Sequence, residues 1–259
     1  MKVVILAGGF GTRISEESYL KPKPMIEIGG KPILWHIMKT FSSYGYNEFV
    51  ICCGYKQDVI KEWFANYYIY SSDITFDFTS GHLETKVHRE QPEPWKVTVV
   101  DTGLHTMTGG RIKRIAPYVG DEPFFLTYGD GVADVPIDKL LAFHKEKGQT
   151  ATITCAQPKS RFGHLDITEE GTVTSFREKT KENSEWINAG YMVLEKDVFD
   201  YIDGDTTVFE KYPLEKLAAD GQLNAFKHDG FWQCMDTMRE KQLLEGLWDR
   251  NEAPWKVWE

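Results

Sequence analysis

The chain has only four cysteines, Cys52, Cys53, Cys155 and Cys234, and no two of them stand in a CxxC spacing. Cys52 and Cys53 are adjacent inside an apolar run, which points to buried thiols rather than disulfides or zinc ligands. No apolar run approaches the ~20 residues that a membrane-spanning helix needs. The opening MKVVILAGG carries one lysine and a short apolar stretch, without the length or cleavage site of a secretion signal. These absences together lead us to expect a reduced, cytoplasmic protein that does not enter a membrane. Positive charge is also scarce. Thirty Lys and Arg against 39 Asp and Glu leave a formal net charge of −9, which argues against a protein that coats nucleic acid. The seven histidines form neither HxxxH nor HExxH, so the usual zinc spacings are missing. There is no internal repeat, low-complexity segment or long linker.

What the 259 residues do contain is an ordinary globular balance, with 41% hydrophobic and 27% charged. Val3 to Leu6 is a continuous apolar run ending in glycines, as expected of a strand buried on both faces. Pro32 suits the first turn of a helix in which Ile33, Leu34, Ile37, Met38 and Phe41 share a face, and Gly45 ends it. Phe49 to Cys53 reads as the next strand. Val59, Ile60, Trp63, Phe64 and Tyr67 follow at helical spacing. Val97 to Val100, Ile112 with Ile115, and Phe124 to Thr127 continue the alternation. The expected fold is α/β: a Rossmann-like, mostly parallel mixed sheet flanked by helices. Ligands on such sheets bind beyond the carboxyl ends of the strands, here the loops after Leu6, Cys53, Val100 and Tyr128. From Thr150 strands predominate (Thr150–Cys155, Leu165–Ile167, Val173–Phe176, Tyr191–Leu194), which suggests a β-rich extension over the open end of the sheet. Helices return near Tyr212–Ala219 and Met238–Trp248. The tail Ala253-Pro254-Trp255-Lys256-Val257-Trp258 exposes aromatics unless something covers them, and this motivates a homo-oligomer.

Residues 7 to 13 read Ala7-Gly8-Gly9-Phe10-Gly11-Thr12-Arg13. Consecutive amides in a glycine-rich turn can cradle phosphate oxygens, although tight turns use the same residues. A dinucleotide fingerprint started at Gly9 fails, because position 14 is Ile14 and the second strand closes on Cys52-Cys53 without an acid. A P-loop also fails, because Gly30-Lys31 is followed by Pro32. Lys21-Pro22-Lys23-Pro24-Met25 holds Lys23 between two prolines, which limits its backbone to extended conformations. Five basic residues (Lys2, Arg13, Lys21, Lys23, Lys31) against three acidic ones (Glu16, Glu17, Glu27) make residues 1–31 locally cationic in an acidic chain. That combination suits a polyphosphate; the alternative is a solvated surface loop.

Two carboxylates complete the pattern. Asp130 follows the apolar strand Phe124–Tyr128 between Gly129 and Gly131, as either a ligand or a turn residue. Asp236 lies in Gly230-Phe231-Trp232-Gln233-Cys234-Met235-Asp236-Thr237, just before a helix, as either a ligand or an N-cap. Asp134 lies near enough to Asp130 to compete for its role. A small number of carboxylates, completed by phosphate oxygens and water, is what Mg²⁺ prefers.

GGxGTR followed by PKPM resembles the signature of the sugar-phosphate nucleotidyltransferases, and the resemblance runs from Met1 to Glu259. It implies one nucleotidyltransferase domain, 1–259, with a nucleotide-binding part (1–149) and a sugar-binding and C-terminal part (150–259). It places Leu6, Ala7, Gly8, Gly9, Phe10, Gly11, Thr12, Arg13, Lys23, Thr106, Arg111 and Gly129 at the nucleotide. Lys23, Arg13 and Asp130 become catalytic by the same resemblance, and Asp130 and Asp236 become ligands of a Mg²⁺ cofactor. Arg161-Phe162-Gly163, Phe176-Arg177-Glu178-Lys179 and Asn188-Ala189-Gly190 resemble the family's sugar-phosphate pocket, which implicates Gly163, Glu178, Lys179 and Asn188. The glutamine followed by GTA that many thymidine- or uridine-triphosphate users carry is missing. The DTG…MTGGR segment, GFWQxMDT and the APWKxWE tail resemble instead the members that use CTP and α-D-glucose 1-phosphate. The family further implies nucleotide-sugar synthesis for bacterial surface polysaccharide; for the homo-oligomer that the tail motivates, a hexamer is one candidate assembly.

Overall fold

The computed structural model describes residues 1–258 apart from 90–92, 159–163, 169–170 and 178–184. Seven strands form the central sheet: β1 (Val3–Ala7), β2 (Glu48–Cys53), β3 (Lys96–Asp101), β4 (Phe124–Tyr128), β5 (Ala151–Ala156), β6 (Ile187–Leu194) and β7 (Leu223–His228). Their order across the sheet is β7-β5-β6-β4-β1-β2-β3. β1 pairs in parallel with β2 and β4, β2 with β3, and β5 with β7; β6 runs antiparallel to both of its neighbours. The apolar runs follow from burial on both faces. Val3, Ile5 and Ala7 enter one core with Ile33, Ile37 and Phe41. Val4 and Leu6 enter the other with Ile112, Ile115 and Phe209.

Two expectations change. Of the strands after Thr150, β5, β6 and β7 complete the central sheet, and the separate pieces among the described residues there are the hairpin His164–Ile167 with Val173–Arg177 and the short strand Trp232–Cys234, which pairs with Gly131–Ala133. The β-rich extension is therefore much smaller than the composition suggested, because buried sheet strands and strands of a small lobe share one apolar pattern. Sequence periodicity also misses a second hairpin, Asp73–Asp77 with Glu84–Arg89. Its strands are exposed on both sides, so the alternation of apolar and polar residues is weak, and Phe76 and Phe78 lie open to solvent.

Pro32 sits just before the helix Ile33–Ser43 rather than inside it, where its φ of −53° and ψ of 143° turn the chain into the first turn. The aromatic tail folds back on the protein. Trp255 is fully buried, stacks on Phe231 at 5.5 Å between centroids and donates its indole N–H to His36 Nδ1 at 3.3 Å. His36 must then donate from Nε2 to the carbonyl of Ile28, 2.9 Å away, which defines its neutral tautomer. Burial lowers the pKa of His36 to about 4. The unfolded chain protonates this residue near 6.5, so between 6.5 and 4 the unfolded state holds more protons and stability falls on acidification. We expect His36 to account for a loss of about 2–3 kcal/mol between pH 7 and pH 4.5. Urea titrations at the two pH values should show a smaller loss for His36→Gln than for the parent.

The thiols behave as expected of buried cysteines. Cys52, Cys53 and Cys155 are buried and all four are free. Burial pushes the Cys53 thiol up to about 12 and raises Cys52 as well. Among the described residues no helix is long and apolar enough to cross a membrane.

Candidate active site

Beyond the carboxyl ends of β1, β3 and β4 lies a cleft of about 600 Å³. Residues 6–13, Lys23, Thr106, Arg111, Gly129 and Asp130 all line it, so every described residue expected at the nucleotide is brought to one place. The loop after β1 owes its shape to glycine at two positions. Gly11 has φ of +66°, in the left-handed region that disfavours side chains, and its carbonyl accepts from Ser18 Oγ at 2.9 Å. At Gly8 a Cβ would stand 2.1 Å from the guanidinium of Arg111.

Lys23 departs from the extended geometry expected between its prolines. Pro22 is extended, with ψ of 150°, but Lys23–Met25 forms a single 3-10 turn closed by Met25 N–H on the Pro22 carbonyl at 2.8 Å. The lysine is buried at 7% exposure and its ammonium lies between the two predicted metal ligands. It donates to Asp130 Oδ2 at 2.6 Å and to Asp236 Oδ1, while Arg13 Nη1 donates to Asp236 Oδ2 at 2.5 Å. Burial alone would lower the pKa of Lys23; the charges and hydrogen bonds of Asp130 and Asp236 outweigh it and leave the pKa above its usual value.

The two carboxylates meet because of one short pairing. Gly131–Ala133, directly after Asp130, pairs antiparallel with Trp232–Cys234, and Met235 N–H donates to the Asp130 carbonyl at 2.8 Å. Asp236 comes next. It is not the N-cap of the helix Met238–Asp249. Thr237 caps that helix in a capping box with Glu240, and Glu240 also accepts from the Asp236 N–H at 2.7 Å. The Asp236 carboxylate is thereby free to face Lys23 and Arg13. Asp134 is excluded from this cluster, since it accepts from Phe231 N–H at 2.6 Å and pairs with His228.

Among the described residues no group of three or more His, Cys, Asp and Glu forms a metal cluster. The pair Asp130 and Asp236 nevertheless fits a magnesium ion. Both carboxylates already reach one cationic centre, the Lys23 ammonium, and Mg²⁺ needs only one or two carboxylates when phosphate oxygens and water complete its shell.

Arg111 was expected to contact nucleotide. It lines the cleft, but its guanidinium is engaged by the protein itself. It donates to the carbonyls of Cys53, Gly103, Gly8 and Leu104 at 2.7–3.3 Å and to Thr102 Oγ1 at 2.8 Å. Arg111 thus ties together the loops after β1, β2 and β3. Burial holds its pKa below the usual arginine value. Arg111→Met removes the side-chain donor of the part-buried Gly103 and Leu104 carbonyls, while the Gly8 and Cys53 carbonyls keep the N–H groups of Tyr55 and Thr102, and at about 1–3 kcal/mol for an unsatisfied group we expect a stability loss of about 1–3 kcal/mol. Chemical denaturation measures it.

Sequence reasoning missed Tyr128, Glu210 and the rings of Tyr55 and His105 around Phe10. Tyr128 donates its hydroxyl to Glu210 Oε1 at 2.5 Å, and Thr108 donates to Oε2 at 2.6 Å, so Glu210 links one wall of the cleft to the start of the helix Thr108–Arg114. Burial, followed by the Glu210 charge, raises the pKa of Tyr128 and keeps it a donor. Nothing in the local sequence marks Glu210, because its partners come from other elements. Phe10 packs against Tyr55 and His105, with centroids 5.4 and 6.0 Å away, at the cleft mouth. Asn188 stands beside Tyr128, and its Oδ1 accepts from Gly190 N–H at 2.8 Å. Gly163, Glu178 and Lys179 lie outside the described residues.

A mostly parallel mixed sheet with a glycine loop, a buried lysine and two aspartates at its carboxyl edge is the layout of an enzyme that handles nucleoside triphosphates. A family model described as Nucleotidyl transferase matches residues 2–245, and the chain belongs to that family. The chain is 57% identical over 260 aligned residues, covering all of both proteins, to the glucose-1-phosphate cytidylyltransferase of Salmonella typhi. It is 30% identical to the mannose-1-phosphate guanyltransferase of Saccharomyces cerevisiae, over 95% of this chain and 63% of that protein. The crystal structure of HddC from Yersinia pseudotuberculosis matches with a TM-score of 0.70 and 25% identity, covering 95% of this chain and 99% of that one.

Proposed function

We propose that the chain transfers the cytidylyl group of CTP to α-D-glucose 1-phosphate, giving CDP-glucose and pyrophosphate. The observation that carries this reading is the cluster of Lys23, Arg13, Asp130 and Asp236 beside the residue 8–13 loop, in a chain similar from end to end to a glucose-1-phosphate cytidylyltransferase. A sugar-phosphate oxygen attacks the α-phosphorus; the new P–O bond forms as the bond to the β-phosphate bridging oxygen breaks, and pyrophosphate leaves with that electron pair. The obstacle is charge. An anion of about −2 approaches one of about −4, and each unit pair costs about 4 kcal/mol at ~4 Å and an effective dielectric of ~20.

The loop amides of residues 8–11 hold the triphosphate, with Thr12 adding a hydroxyl. Arg13 and Lys23 neutralise phosphate charge, and Lys23 in particular stabilises the α-phosphate as charge builds there. Thr106 lies on the base side, and Arg111 shapes the loops around it. Asn188, with Gly163, Glu178 and Lys179, serves the hexose phosphate. A Mg²⁺ held by Asp130 and Asp236 would supply further neutralisation of the phosphoryl oxygens. Positioning and electrostatics suffice, so no protein nucleophile or general base is required. The same reading makes 1–259 one domain, with 1–149 serving the nucleotide and 150–259 the sugar, and places the protein in the cytoplasm, where nucleoside triphosphates are made.

A pyrophosphate-release assay with CTP, UTP, dTTP, ATP and GTP, each with several hexose 1-phosphates and with and without Mg²⁺, tests this directly. Turnover should require Mg²⁺ and be fastest with CTP and glucose 1-phosphate. Faster turnover with UTP or dTTP would reassign the base, and binding without turnover would leave a nucleotide-sugar binder.

We also propose a homo-oligomer. The tail no longer motivates it, because Trp255 is buried within the chain. Exposed apolar side chains among the described residues include instead Tyr68, Tyr70, Phe76, Phe78 and Leu83, in or near the hairpin Asp73–Arg89 in the sequence. Light scattering at micromolar concentration should give a mass at least twice that of one chain, and Phe76→Ser with Phe78→Ser should lower it.

A further inference from the structure

The cluster that serves the chemistry is electrically closed in the free protein. Lys23 and Arg13 contribute two positive charges, Asp130 and Asp236 two negative ones, and the formal sum is zero. Three of the four carboxylate oxygens touch a cation. Asp236 has one oxygen on each cation, and Asp130 has Oδ2 on Lys23. Cys234 Sγ adds a weak contact to Asp236 Oδ2 at 3.8 Å. A divalent cation arriving alone meets two carboxylates already matched by two cations. To take both carboxylates it would have to leave the Lys23 ammonium, whose side chain is only 9% exposed, without a partner in a buried position.

A triphosphate changes that balance. Its oxygens enter beside residues 8–13 and offer Arg13 and Lys23 alternative anionic partners, since both line the same cleft as the loop. Once the two cations turn to phosphate, the carboxylates are left uncompensated and a divalent ion can replace the lost positive charge.

We propose that Lys23, assisted by Arg13, occupies the cation position between Asp130 and Asp236 in the free protein and gives it up when a triphosphate binds, so that nucleotide loads before metal. The inference rests on the reading that the loop binds a nucleoside triphosphate. It gives Lys23 a second role: in the free protein it blocks the carboxylate pair that will serve catalysis.

Mn²⁺ alone is the probe, titrated into the full-length protein and followed by electron paramagnetic resonance. Without nucleotide, Lys23→Met should bind Mn²⁺ at least tenfold more tightly than the parent. Its melting temperature should rise with Mn²⁺ while that of the parent stays constant. Adding Asp130→Asn to Lys23→Met should abolish the gain. Arg13→Ala, at an exposed position that folding tolerates, should shift Mn²⁺ affinity in the same direction by less, and it keeps the test open if Lys23→Met is unstable. Equal Mn²⁺ affinity in parent and Lys23→Met, whether tight or absent, overturns the proposal. Calorimetry with CTP and no metal separates the two levels. Failure of CTP to bind the parent removes the nucleotide reading itself. Binding of CTP together with equal Mn²⁺ affinities removes only the loading order.

Discussion

Lys23→Ala is expected to lower turnover by about a hundred- to a thousandfold, the usual loss when one preorganised charge facing the reacting centre is removed. Lys23 is the only one of the cluster's two cations that is buried, and it touches both aspartates, so no neighbour can take its place. Arg13 has a side chain 72% exposed and pairs with Asp236 alone. The KM for CTP should change much less than kcat, because the glycine loop amides and Arg13 still hold the triphosphate. Lys23→Arg should not rescue turnover, since a planar guanidinium does not fit where a compact ammonium sits between two carboxylates. Steady-state pyrophosphate release with varied CTP separates the two parameters; unchanged kcat would remove Lys23 from the chemistry.

Asp130→Asn and Asp236→Asn are each expected to cost about a thousandfold or more in kcat/KM, a few kcal/mol of transition-state stabilisation. The double variant should be little worse than either single one. Groups that act on one ion work as a unit, and removing half of the site disables the other half. Losses that multiply would assign the two carboxylates to separate tasks. Neither substitution should disturb the helix Met238–Asp249, because its cap is Thr237 and not Asp236. Raising Mg²⁺ should recover part of the activity of each single variant and none of that of the double one. The effect on Lys23 also has a definite sign. Burial lowers its pKa and the two aspartates raise it, so neutralising either aspartate moves the pKa downward.

The parts of the site legible in the sequence are those in which chemistry is carried by neighbours along the chain. The glycines of residues 8–11, Arg13 two positions later, and Lys23 between its prolines form one short stretch whose local positive charge and backbone freedom can be read without a fold. Asp130 is legible for the same reason, as a carboxylate between glycines at the end of an apolar strand. Asp236 could be read equally well as a helix cap, and the ambiguity was removed by Thr237 and Glu240 making the cap themselves. Arg111 illustrates the opposite difficulty. An arginine near a phosphate loop suggests a ligand contact, but this one satisfies four backbone carbonyls instead. Carbonyls left over where three strands end are a consequence of topology, and no residue pattern announces them.

The same division holds for the fold. Both-face burial produces unbroken apolar runs, so β1, β2 and β4 and the helix Ile33–Ser43 could be placed from periodicity, and with them the edge of the sheet where ligands bind. Periodicity carries no information about partners. It could not say that β5, β6 and β7 join the first sheet, that the hairpin Asp73–Arg89 projects from it, or that Trp255 closes over His36. By itself, then, the amino-acid order determined which residues have the charge and backbone freedom to handle phosphates. The tertiary structure decided which of them meet, because an antiparallel pairing between Gly131–Ala133 and Trp232–Cys234 sets two distant carboxylates around one ammonium, and such pairings depend on hydrogen bonds and burial across the whole sheet rather than on local sequence.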